Sequence, residues 1–71
     1  TLGLWHADAM RVSEVLELLA GHGWRIVRQK GSHRQLQHPF RPGTITVAGK
    51  PSVDVPSGTL NSILKQAGLK D

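Results

Sequence analysis

WRIVRQKGSHRQLQHP, residues 24–39, decides how this chain folds. Its first half, Trp24 to Lys30, is aromatic and β-branched enough for a strand despite its cations. Gly31-Ser32 suits a two-residue hairpin turn, because a type II′ turn takes glycine at its first central position. A second strand then runs from His33 to about His38, and Pro39 stops it, since proline has no N–H to give to a ladder. With Gly31 and Ser32 as the loop, Lys30 stands opposite His33, Arg28 opposite Gln35, and Val27 opposite Leu36. Facing residues of an antiparallel pair share a side of the sheet, and alternate residues take opposite sides. Val27 and Leu36 are therefore expected inside, and Lys30, Arg28, His33, Gln35 and Gln37 together outside. The same register puts Trp24 and Ile26 on the open side, an uncomfortable place for them. A bulge or a longer turn reverses the parity of this first strand, and the residues do not choose between the two arrangements. Following a helix-ending glycine, Trp24 is expected to anchor a helix to the sheet.

The pattern continues outward on both sides. Pro42-Gly43 makes a further turn, and Thr44-Ile45-Thr46-Val47 alternates as a third strand, with the isoleucine and valine inward and the two hydroxyls on the polar face. Upstream, Ser13 is positioned to cap a helix over about residues 13–22, with Glu14 in its first turn, a Val15, Leu18, Leu19 stripe, and Gly21-His22-Gly23 as its end. Downstream, after a turn-rich segment over 48–56, Ser57 is expected to cap a second helix whose Leu60, Ile63, Leu64 and Ala67 share one face and which Gly68 closes. Three strands this close in sequence favour an antiparallel meander. The expected fold is α+β, an α-β-β-β-α two-layer sandwich with both helices on one face of the sheet.

Bulk properties narrow the function. With 71 residues and a net charge of +4, the chain has room for one modest core, because a domain of this size buries only about 60% of the surface its unfolded form exposes. It has no cysteine, which removes disulfides, thiolate zinc sites and thiol nucleophiles together and favours the cytoplasm. No apolar stretch is long enough to read as a membrane span. The charge is unevenly placed: between Glu17 and Asp54 there is no acidic residue, whereas Arg25, Arg28, Lys30, Arg34, Arg41 and Lys50 all fall there. Such a footprint suits a phosphate-bearing partner; on charge alone, an acidic protein is the alternative. Residues 1–9 show neither period, and Met10 follows them, so they are expected to be a disordered upstream or tag segment ahead of a single domain over 10–71.

The helix leading into GHGW at 21–24, KGSHRQLQHP at 30–39, GTITV at 43–47 and VPSGTLNSILKQAGL at 55–69 together resemble the HicA family, the toxin halves of HicA/HicB toxin–antitoxin pairs. The resemblance covers nearly everything from Met10 onward. It implies a double-stranded-RNA-binding-domain-like fold and a ribonuclease that cuts mRNA without a metal, using the histidine of the GSH motif, here His33. It also implies a HicB-type antitoxin that inhibits by covering the site. The chain departs from the family pattern at Ala48-Gly49-Lys50, where members often carry a proline and a basic residue, and at Ser57, where a lysine is common. Those differences bear on secondary RNA contacts.

The chemistry of RNA fits these residue types. Its 2′-hydroxyl is a built-in nucleophile, so cleavage needs a base, a proton for the leaving 5′-oxygen, and positive charge around the phosphate. An imidazole can take either proton role near neutral pH. His33 is the expected catalytic residue, with Arg28, Lys30, Ser32, Arg34 and Gln35 as expected contacts to single-stranded or messenger RNA. The bland alternative for His33 is a strand-end histidine bonded to a turn carbonyl. His38 suits a structural role and His22 a helix end. No cofactor and no metal are expected, because no histidine pair has ligand spacing on a helix, and His33 and His38 fall on opposite sides of a strand. A fold of this kind that binds RNA without cutting it is the alternative function.

Overall fold

The computed structural model describes residues 10–71. The expectation for residues 1–9 lies outside that range. Helix α1 (Val12–Gly21) is followed by strands β1 (Arg25–Lys30), β2 (His33–Gln37) and β3 (Ile45–Ala48) and by helix α2 (Ser57–Gln66). The strands form one antiparallel sheet in the order β1-β2-β3. This is the α-β-β-β-α arrangement of the α+β class that the hydrophobic periods imply.

The start of α1 differs from the reading that gave Ser13 the cap. Arg11 occupies the cap position, and its own N–H donates to the Glu14 carboxylate at 2.8 Å. A side-chain oxygen from Ser13 is not needed there. The N–H groups of Val12 and Ser13, which no helical carbonyl can reach, donate to the carbonyls of Val53 (2.9 Å) and Pro51 (3.1 Å) instead. The loop over 48–56 is thereby tied to the helix, and an isolated bridge pairs Arg11 with Asp54. Similarly, α2 has Pro56 rather than Ser57 at its cap position, and among the described residues no side chain caps it.

Both helices end in the same way. After α1, the N–H of Gly23 donates to Ala20 and that of Trp24 to Leu19; after α2, Gly68 donates to Lys65 and Leu69 to Leu64. Each glycine sits at positive φ, +94° for Gly23 and +75° for Gly68, where the chain can reverse and leave its last carbonyls paired. At α1 this reversal drops Trp24, only 2% exposed, into the core beside Leu19.

The first strand corrects the straight-ladder register. From the turn inward, Lys30 faces His33, Gln29 faces Arg34 and Arg28 faces Gln35 as expected, but Leu36 is then met by Ile26 rather than Val27. Val27 is the extra residue of a β-bulge between Ile26 and Arg28. The bulge shifts the parity of everything before it, which takes Trp24 inside and leaves Val27 54% exposed. The expectation that Val27 joins Leu36 in the core is therefore overturned.

The core is built from Val12, Val15 and Leu19 of α1, Trp24, Leu36 of β2, Ile45 and Val47 of β3, Val55, and Leu60, Ile63, Leu64 and Ala67 on and just after α2. Leu18, expected in the main stripe, packs against it only partly buried. Both helices meet the sheet mainly at β3. Every residue of β1 is exposed, and the sheet face away from the helices is open. Among the described residues, no helix is long and apolar enough to cross a membrane.

Candidate functional site

The open face is organised by the turn. Gly31 adopts φ +59° while Ser32 stays at negative φ, as a type II′ turn requires. This two-residue reversal fixes the register so that His33, the first residue of β2, lies between Lys30 on β1 and Ala48 on β3. Two residues further along β2, Gln35 lies between Arg28 and Thr46. Because facing residues share a side, these side chains gather on one surface. Arg28, Lys30, His33, Gln35 and Thr46 line a hollow of about 310 Å³. All five are exposed. Two cations, one imidazole, an amide and a hydroxyl converge there, and among the described residues no carboxylate lines the hollow to neutralise them.

Two of the residues expected at the site are placed differently. Arg34 alternates with His33 and so points to the helix side, where it is 7% exposed. Its guanidinium donates to the carbonyls of Ser32 at 3.1 Å and Gly49 at 3.0 Å. The Gly49 N–H also donates to the Ser32 carbonyl at 3.1 Å. Arg34 thus ties the hairpin turn to the loop after β3, directly beneath His33. Ser32 is half-buried in the turn, and its carbonyl is engaged by these donors.

His38 is held from both sides. The N–H of Phe40 donates to its Nδ1 at 3.0 Å, which leaves the ring proton on Nε2, and Nε2 donates to the His22 carbonyl at 2.9 Å. Its ring packs edge-on against Trp24 at 5.3 Å. A Cβ on Gly23 would lie 2.7 Å from Nε2, so this approach requires glycine there for space as well as for φ. His38 therefore joins the end of α1 to the end of β2, away from the hollow around His33. Among the described residues, no group of three or more histidine, aspartate or glutamate side chains is placed to hold a metal ion.

The sequence reading named four of the five residues lining the hollow and placed the hydroxyl of the fifth, Thr46, on the same face. It missed the apolar hollow beside it, about 310 Å³ lined by Arg25, Val27, Gln37, His38 and Pro39, because that feature depends on the bulge at Val27. Parity against Leu36 was the available signal for Arg34.

A protein-family model described as the HicA toxin of bacterial toxin-antitoxin matches residues 12–69. No curated protein matches the chain.

Proposed function

The chain belongs to the HicA toxin family, a toxin with an antitoxin as its partner, and from that premise we propose that it is an endoribonuclease that cuts messenger RNA with His33. The observation that carries this reading is the placement of His33, exposed at the head of β2, opposite Lys30 and in one hollow with Arg28. A phosphodiester seated there meets positive charge on one side and a proton acceptor on the other. His33 takes the proton of the 2′-hydroxyl as that oxygen attacks phosphorus. The new P–O2′ bond forms as the P–O5′ bond breaks. The leaving 5′-oxygen takes a proton from the imidazolium so formed or from water. Arg28 and Lys30 support the charge that builds on the phosphoryl oxygens, and Gln35 and Thr46 offer hydrogen bonds to the same group. RNA itself supplies the nucleophile, so none of these steps calls on a metal.

Arg34 acts in this scheme through the backbone: by fixing the Ser32 and Gly49 carbonyls it holds the turn on which His33 stands. A HicB-type antitoxin inhibits by covering the open face, whose excess of cations suits an acidic surface. Residues 10–71 form the toxin domain. Incubation of the chain with single-stranded RNA in the presence of a chelator, followed by analysis of the product ends, tests the chemistry. We expect 2′,3′-cyclic phosphate and 5′-hydroxyl termini. Binding without product, or products that form only when divalent metal is added, would overturn it.

A further inference from the structure

A second hollow, about 450 Å³ and larger than the first, lies between β3 and α2. The strand β3 is an edge of the sheet, and Thr46 on it and Thr44 just before it form one wall. Thr59, Ser62 and Gln66 of α2 form the other, with Gly58 at the start of the helix and the buried Ile63 behind them. The spacing 59, 62, 66 places these three on one helical face, beside the apolar stripe that packs into the core. Thr46 lines both this hollow and the one that holds His33, so the two adjoin.

Their chemistry differs sharply. The His33 hollow contains two cations and an imidazole, whereas among the described residues no ionisable side chain lines the β3–α2 hollow. Its polar groups are hydroxyls and one amide, suited to a neutral ligand with donors and acceptors on its edge. Gln66 Nε2 donates to the Ser62 carbonyl at 3.3 Å and to Ser62 Oγ at 3.2 Å, which orients the amide and leaves Oε1 as an acceptor. Thr44 Oγ1 accepts from Gln37 Nε2 at 3.1 Å, so the hydroxyl hydrogen of Thr44 is left to donate. Resting on the ribonuclease reading above, we propose that this hollow is a nucleobase subsite, holding the base of a nucleotide next to the phosphate bound at His33. Single-stranded RNA is read in this manner elsewhere, through splayed bases hydrogen-bonded along their edges. The volume lies within the range of about 300–1,000 Å³ common for small-molecule pockets. Phosphate and base are thereby assigned to separate hollows, one charged and one neutral, on either side of Thr46.

Gly58 provides the test. A Cβ there meets nothing within 4 Å, so Gly58→Leu places a side chain in open space at the groove. Gly21, at the other helix and outside both hollows, also has nothing within 4 Å, and Gly21→Ala serves as the control. The full chain and both variants are assayed on short RNAs carrying each of the four bases on either side of the cleaved bond. The unaltered chain and Gly21→Ala should share one base preference. Gly58→Leu should lose that preference on one side of the bond, with KM raised about tenfold, the loss of roughly one base contact, and kcat kept within about twofold. Should Gly58→Leu fail to fold, the exposed Gln66→Ala carries the same expectation. Cleavage with preference and KM unchanged would overturn the subsite while leaving the ribonuclease reading intact. A change confined to antitoxin binding would likewise overturn it, and absence of cleavage by the unaltered chain would remove both.

Discussion

Arg34 shows how one side chain can serve a site without touching it. A guanidinium presents a rigid fork of donors, and here two of them are matched to carbonyls at Ser32 and Gly49. Arg34→Leu leaves the half-buried Gly49 carbonyl without this donor, and thermal unfolding should record a loss of about 1–3 kcal/mol. Arg34→Lys should restore only part of it, because an ammonium on a flexible stem lacks the planar fork. A variant as stable as the unaltered chain would show that the clamp is unimportant. From the sequence, His33 is the expected catalytic residue and Arg34 an expected contact to RNA, neighbours in one basic run. Strand alternation separates them: Arg34 is two residues from Leu36 and shares its side, whereas His33 does not. That much was legible. The acceptor at Gly49, 15 residues away, was not, because it depends on where the loop after β3 comes to rest.

At the scale of elements, the bulge in β1 decides which side chains each face receives. A straight ladder would bury Val27; the bulge exposes it and buries Trp24. The two registers make opposite forecasts for a conservative change. Val27→Thr should shift stability by no more than about 0.5 kcal/mol, as exposed substitutions generally do, whereas Leu36→Ala, at 1% exposure, should cost about 2–5 kcal/mol. Chemical denaturation of the two variants checks the pair, and a Val27→Thr loss of core size would restore the straight register. All five elements were readable from their periods and from the glycines that end the helices. The bulge was not fixed, because both parities leave apolar residues exposed: Ile26 is still 48% open even on the inward side. The helix caps misled for a related reason. Ser13 has the right chemistry for a cap, but Val53 and Pro51 supply acceptors that only the folded loop brings near.

Across the whole molecule, charge and core lie on different layers. The helices and the inward residues of β2 and β3 hold the apolar side together, leaving β1 and the head of β2 to present Arg28, Lys30 and His33 outward. Among the described residues, no carboxylate lines the hollow that holds those cations. What composition could not supply was the division of the surface into a charged hollow and a neutral one, because Thr59, Ser62 and Gln66 meet Thr46 only through tertiary packing. In the proposed reaction, His33 moves the proton that lets RNA be cut. This role is tested most directly by comparing RNA cleavage by the unaltered chain and by His33→Ala, with circular dichroism to establish that both are folded. Loss of the general acid–base term should slow cleavage about 10²–10⁴-fold with the fold unchanged; cleavage by a folded His33→Ala chain at the original rate would contradict the claim.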